Sequence, residues 1–151
     1  MNAAVQLLMV VGLAAAGAGG TYFAKGPPVR TLVCDPATLK PGEICLEQVQ
    51  EPVVWIDARP RKDWQANGLP GSILWNLDGA EDAAAFEAEA MQKLFENPKA
   101  VVYCSNEDCG VSQQVAEKIR KLDPEFDVKA LRGGWQALKD AGRVRDSSGT
   151  P

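Results

Sequence analysis

Two cysteines, five positions apart, are the residues of this sequence best suited to chemistry. Cys104 follows the apolar run 100–103, and Cys109 lies in the polar segment that comes next. An amphipathic stretch over 111–122 follows. A cysteine between a strand and a helix lies near loop N–H groups and the positive helix end, which favour the nucleophilic thiolate. The pattern predicts that Cys104 is a nucleophile.

Cys109 has three candidate roles. As a resolving thiol, it would attack Cys104 once that residue carries a sulfane sulfur, releasing sulfide and leaving a disulfide. As half of a dithiol switch, it would protect Cys104 from over-oxidation. As a structural residue, it would simply pack at the start of the following helix. The spacing permits a disulfide with Cys104 but does not require one.

Composition excludes several other kinds of chemistry. The sequence contains no histidine, so no Ser-His or Cys-His catalytic pair exists within the chain. A zinc site would need all four cysteines, whose spacing does not resemble paired C-x2-C motifs. We therefore expect no metal, and the motifs described below imply no organic cofactor. The net charge of -4 argues against a nucleic-acid partner.

The N-terminal segment predicts a membrane anchor. Residues 2–24 carry no charge, and about 20 apolar residues span a bilayer as a helix. Tyr22 and Phe23 suit the interface at its end. We expect residues 1–24 to form an uncleaved single-pass anchor in a bacterial-type inner membrane. The alternative is a signal peptide, since the small residues 16–18 resemble a cleavage site; the protein would then be periplasmic or secreted.

Three further segments follow the predicted anchor. Residues 25–42 are a Pro/Gly-rich linker, residues 43–142 a folded domain and residues 143–151 a flexible tail. The orientation stays open. Lys25 and Arg30 favour a cytoplasmic domain by the positive-inside rule, whereas the even number of cysteines favours an exported one. In an oxidising compartment, Cys34 and Cys45 are a candidate disulfide; otherwise they are two unrelated thiols.

Strand and helix patterns alternate through the domain, which predicts an α/β fold. A small parallel sheet with helices on both faces satisfies this order. Reactive groups of such sheets lie at the carboxyl ends of strands, where Asp57 and Cys104 are expected. The predicted strands are 43–46, 53–57, 72–76, 100–104 and 128–131, and the predicted helices are 61–67, 81–96, 110–122 and 135–140.

Four segments, in the right order, resemble the rhodanese-homology family. They are Val54-Trp55-Ile56-Asp57-Ala58-Arg59, Leu69-Pro70-Gly71-Ser72-Ile73, Val101-Val102-Tyr103-Cys104 and Leu131-Arg132-Gly133-Gly134-Trp135. The resemblance covers roughly 50–142. It implies a small α/β domain and sulfur transfer through a persulfide on Cys104. It also implies that Asp57 bonds loop backbone near the site, although a purely structural cap is the alternative.

The sequence departs from the family in two places. Gly68 stands where the turn usually has a histidine. The loop after Cys104 also differs from a common family form, Cys-x-x-Gly-x-Arg-Ser. If Ser112 matches the family serine, this loop is about two residues longer. The active-site loop is predicted to consist of Ser105, Asn106, Glu107, Asp108, Gly110, Val111 and Ser112, together with Cys109.

The loop composition disfavours dianionic substrates. It has no arginine and carries Glu107 and Asp108, and a like charge at ~8 Å costs roughly 2 kcal/mol at an effective dielectric of ~20. This argues against phosphatase activity and against thiosulfate as the natural donor. Arg59 is the candidate cation for an anionic substrate, unless it pairs with Asp63 at i+4.

The sequence thus predicts a membrane-tethered, rhodanese-like sulfurtransferase. Its partners would be a sulfur donor and a thiol acceptor, either small molecules or proteins. One alternative is a thiol–disulfide redox protein that uses Cys104 and Cys109. The other is a non-catalytic rhodanese-fold module that recruits a partner to the membrane. The four tryptophans are expected to be packing residues.

Overall fold

The computed structural model describes residues 34–106 and 110–146. The predicted anchor, 1–24, lies outside these residues. Within the described ranges, every helix is too short or too polar to cross a bilayer.

Five parallel strands form one sheet in the described part of the chain. They are β1 (Glu43–Ile44), β2 (Val54–Asp57), β3 (Ile73–Leu74), β4 (Lys99–Tyr103) and β5 (Asp127–Leu131). Their order across the sheet is β1-β5-β4-β2-β3. β4 is therefore central, with a strand on each side. The predicted parallel α/β architecture is confirmed.

In residues 34–106 and 110–146, four α-helices flank this sheet: α1 (Arg61–Asn67), α2 (Ala83–Glu96), α3 (Val111–Leu122) and α4 (Gly134–Asp140). Two short 3-10 turns, Pro36–Thr38 and Leu46–Gln48, precede β2. Capping explains where α2 begins, because the Asp82 side chain accepts hydrogen bonds from the backbone N–H groups of Ala84 and Ala85. All four helices coincide with predicted ones, to within two residues at each end.

The alternation of β4 divides the core between two faces of the sheet. Ala100 and Val102 pack with buried residues of α2 and α3. Val101 and Tyr103 pack on the opposite face with Leu138 of α4. Successive side chains of a strand point to opposite faces of the sheet, and both faces are covered here. The residues of β4 that pack on the two faces therefore form a continuous apolar run in the sequence.

A disulfide ties the linker to the domain. Cys34 is bonded to Cys45, the residue that follows β1, with 5.6 Å between their Cα atoms. Of the two alternatives left open for these cysteines, the structure shows the pair. Cys45 is 1% exposed, so this link is built into the packed part of the domain.

Candidate active site

Cys104 and Asp57 lie at the same edge of the sheet. Asp57 ends β2, and Cys104 directly follows Tyr103, which is the register partner of Asp57 on β4. The backbone N–H of Ala58 donates to the carbonyl of Tyr103 at 2.8 Å, which continues the pairing past the end of β2. Cys104 is 1% exposed and Asp57 is fully buried. The sequence-based expectation that both residues lie at strand ends is confirmed.

The Gly-Gly-Trp turn holds the backbone of Cys104. The N–H of Trp135 donates to the Cys104 carbonyl at 2.6 Å, and the N–H of Gln136 donates to the Ser105 carbonyl at 3.3 Å. Gly134 has φ +56°, and a Cβ at this position would lie 2.5 Å from the Cys104 carbonyl oxygen. Only glycine permits so close an approach of two backbones in this conformation.

The sulfur of Cys104 is already engaged. Its Sγ lies 3.6 Å from the carbonyl oxygen of Asn106, and Cys104 is disulfide-bonded. Glu107, Asp108 and Cys109 lie outside the described residues. The roles assigned to these three residues therefore stay predictions.

The chain returns to regular structure directly after the loop. Gly110 precedes α3, and Ser112 lies in its first turn with 4% exposure. Val111 packs against the core that contains Cys104. The predicted strand–cysteine–loop–helix order is therefore present, with Ser105 and Asn106 exposed at its start.

Arg59 forms an ion pair with Asp57. Its Nε and Nη2 donate to the two oxygens of Asp57 at 3.0 and 2.8 Å, and its backbone N–H donates to Asp57 Oδ1 at 2.9 Å. The pair is buried, with 5% and 0% exposure. The one backbone N–H that the structure shows bonded to the Asp57 side chain is that of Arg59, two residues on, so its role at the site stays a prediction. Asp63 offers only its backbone carbonyl to Arg59, so the alternative i+4 ion pair is wrong.

Two aromatic rings lie against the same guanidinium. Its Cζ lies 5.1 Å from the ring centroid of Trp135 and 5.7 Å from that of Tyr103. Its Nη1 also donates to Asn67 Oδ1 at 2.9 Å. With Nε, Nη1 and Nη2 each bonded to a protein acceptor and two rings close to its Cζ, Arg59 braces the site and is not placed to bind an anionic substrate.

Tyr103 was not predicted as a site residue, yet it joins Cys104 to the Gly68–Ser72 turn. Its hydroxyl accepts a hydrogen bond from the Leu69 N–H at 2.9 Å and lies 3.2 Å from Ser72 Oγ. Burial, and secondarily the negative charge of Asp57, raise the pKa of Tyr103, so the hydroxyl stays protonated and able to donate even at alkaline pH. A tyrosine at the end of an apolar run, directly before the predicted nucleophile Cys104, was the available signal in the sequence.

The histidine missing from the family turn has a steric explanation. A Cβ at Gly68 would lie 2.6 Å from the Trp64 carbonyl oxygen and 2.8 Å from Trp64 Cδ1. The turn is fixed here by the Trp64 indole, which donates to the carbonyl of Ser72 at 3.1 Å. A side chain at position 68 would therefore displace Trp64.

The described part of the chain was also compared with the requirements of a metal site. Residues 34–106 and 110–146 contain no group of three or more His, Cys, Asp or Glu side chains arranged to hold an ion.

Comparison with known proteins gives a family and two similar structures. The protein-family model described as "Rhodanese-like domain" matches residues 43–141, about two thirds of the chain. The BH2092 protein from Bacillus halodurans is 22% identical, with 63% of this chain and 64% of that chain covered and a TM-score of 0.49. A thiosulfate sulfurtransferase from Pseudomonas aeruginosa is 21% identical, with 63% and 17% covered and a TM-score of 0.41. This chain thus spans less than two thirds of each structure. No curated protein matches.

Proposed function

We propose that this chain, which belongs to the rhodanese-like domain family over residues 43–141, carries sulfane sulfur as a persulfide on Cys104. The observation that carries the proposal is the position of Cys104. It is buried at the end of the central strand, and the Gly-Gly-Trp turn holds its carbonyl. A nucleophile on a fixed backbone keeps its geometry through repeated transfers.

The proposed transfer balances in two steps. Once a protein dithiol has reduced the disulfide of Cys104, the Cys104 thiolate attacks the terminal sulfur of a donor persulfide, R–S–SH; the donor S–S bond breaks, and R–S⁻ leaves. An acceptor thiolate can then take the terminal sulfur. Alternatively, the Cys109 thiolate attacks Cys104 Sγ and expels hydrosulfide, leaving a disulfide. In that branch the sulfane sulfur gains two electrons and the cysteines lose two, so a protein dithiol must reduce the disulfide afterwards.

The surroundings favour a neutral or protein-bound persulfide as the donor. Arg59 was predicted to bind an anionic donor. It already forms an ion pair with Asp57 and lies against two aromatic rings. Glu107 and Asp108 add negative charge to the loop sequence. Thiosulfate, a dianion, is therefore expected to be a poor donor.

Mass spectrometry of the full chain tests this proposal. After incubation with cysteine persulfide, the Cys109→Ser variant is expected to gain one sulfur atom on Cys104. The Cys104→Ser variant should gain none. An equal concentration of thiosulfate should load at least about tenfold less, because the acidic loop repels a dianion. If Cys109→Ser takes up no sulfur from either donor, the sulfur-carrier proposal is wrong.

A thiol–disulfide redox role is the second candidate, favoured by the disulfide-bonded state of Cys104. Reversible reduction of Cys104 by a dithiol, without sulfur uptake, would favour it. If Cys104 in the Cys109→Ser variant reacts no faster with an alkylating reagent than a free thiol, the third reading, a non-catalytic recruitment module, gains support.

We further propose that residues 1–24 anchor the chain in a bacterial inner membrane, with the domain on the oxidising side. The Cys34–Cys45 disulfide supports that side, because such bonds persist in oxidising compartments. The positive-inside rule points the other way, but it rests on two residues, Lys25 and Arg30.

A reporter fused to the C-terminus tests the orientation. Alkaline phosphatase is expected to be active in the full-chain fusion, because it needs an oxidising compartment for its own disulfides. It should be inactive in a matched fusion that lacks residues 1–24. If the full-chain fusion is inactive and a cytosolic fluorescent reporter fused at the same site is bright, the proposed orientation is wrong and the domain faces the cytoplasm.

A further inference from the structure

We propose that Glu43 is a positioning residue for Cys104. It joins the first turn of α3 to the turn that holds the Cys104 carbonyl. The functional part of this inference rests on the proposed sulfur transfer, whereas its structural part is testable without it.

Glu43 binds three segments of the chain with one carboxylate. Its Oε1 accepts a hydrogen bond from Gln113 Nε2 at 2.8 Å. Its Oε2 accepts one from the backbone N–H of Lys40 at 2.8 Å and lies 3.5 Å from Arg132 Nη1. The Glu43 side chain is only 7% exposed. A shielded carboxylate with charge-assisted contacts holds its partners more firmly than an exposed pair would.

These partners lie on both sides of Cys104. Gln113 is in the first turn of α3, the helix that begins directly after the Cys104 loop sequence. Arg132 directly precedes the Gly133–Gly134 turn, whose next residue, Trp135, donates to the Cys104 carbonyl. Glu43 therefore links the chain leaving the site to the chain that holds it.

The backbone around Glu43 is itself fixed. The N–H of Ala130 donates to the Gly42 carbonyl at 2.8 Å, and the N–H of Arg132 donates to the Ile44 carbonyl at 2.9 Å. Cys45, two residues on, is held by its disulfide. The carboxylate thus projects from a strand anchored on either side, which suits a residue that sets the position of others.

Glutamine at position 43 separates charge from shape. A carboxylate offers two acceptor oxygens, whereas a side-chain amide offers one acceptor and two donors. The Glu43→Gln variant can keep its bond with Gln113, but it presents N–H groups to Lys40 and Arg132. Gln113→Met removes the opposite partner at similar length in a helix that tolerates methionine. Glu47→Gln, an exposed change nearby, is the matched control.

Hydrogen exchange of the full chain measures the structural part. In Glu43→Gln, and separately in Gln113→Met, the Trp135 and Gln136 amides are expected to exchange about tenfold faster, the effect of losing one charge-assisted bond. Amides of β2 should be unchanged, as should all amides in Glu47→Gln. The double variant should exceed either single variant, since Glu43→Gln disturbs the contacts with Lys40 and Arg132 whereas Gln113→Met removes the contact with Gln113. Should Glu43→Gln fail to fold, Gln113→Met still decides.

Two results would overturn the inference. One is unchanged exchange at Trp135 and Gln136 in a folded variant. The other is a loss of protection shared equally with β2, which indicates general destabilisation only. Sulfur loading from cysteine persulfide, in the Cys109→Ser background, is expected to slow about tenfold in the same variants. If the Cys109→Ser protein without further changes takes up no sulfur, the proposed function is wrong. The exchange result still tests the positioning role of Glu43.

Discussion

Replacing Asp57 by asparagine is expected to lower the free energy of unfolding by about 3–5 kcal/mol. The Asp57–Arg59 pair is buried, and its carboxylate receives three hydrogen-bonding groups of Arg59. Asparagine keeps the shape but leaves the guanidinium without its counter-charge. Denaturation of the full chain, followed by tryptophan fluorescence, measures the loss, because Trp135 lies against Arg59.

An exposed pair on β5 provides the control for this change. Lys129 and Asp127 form an ion pair with side chains 42% and 59% exposed. Asp127→Asn should cost less than about 1 kcal/mol. The double change Asp57→Asn/Arg59→Met is expected to be less harmful than Asp57→Asn alone, because it removes the uncompensated charge. Costs that simply add would show that the pair is not the cause.

Replacing Gly134 by alanine is expected to damage both stability and sulfur transfer. The new Cβ would lie 2.5 Å from the Cys104 carbonyl oxygen and 3.1 Å from the Asn106 nitrogen. Left-handed strain and overpacking together should cost at least about 3 kcal/mol. A displaced Cys104 backbone should slow persulfide loading about a hundredfold. Denaturation and mass spectrometry of the same sample measure the two losses.

A substitution at Gly71 separates backbone strain from overpacking as causes of the loss. It has φ +82°, and a Cβ there would meet nothing within 4 Å. Gly71→Ala therefore carries the conformational strain alone, about 1–2 kcal/mol, and should leave sulfur loading unchanged. Equal stability losses in the two variants would mean that close contact with Cys104 is unimportant.

The fold was predictable because its signals are local. Apolar runs predicted β2 and β4, and the helix predicted over 81–96 shows its periodicity in Phe86, Ala90 and Leu94, which recur every four residues and are the buried residues of α2. Parallel pairing then followed from the alternation of elements. Cys104 was found because a strand, a cysteine and a helix are adjacent in sequence as well as in space.

The partners of the site residues were not predictable in this way. Arg59 was predicted to bind an anionic substrate or to pair with Asp63, yet Tyr103 and Trp135, distant along the chain, lie against it. Glu43 meets Gln113 across 70 positions of sequence, so no periodic pattern reports the contact. Such contacts depend on strand order, which places β1 and β5 side by side at one edge.

The Cys34–Cys45 bond also decides where a mechanical load would enter the domain. A pull arriving along the chain at Cys34 passes through the disulfide to Cys45 and bypasses residues 35–44. β1, an edge strand of two residues, lies inside the bypassed stretch. This short edge strand is thus kept free of tension, and with it the carboxylate of Glu43.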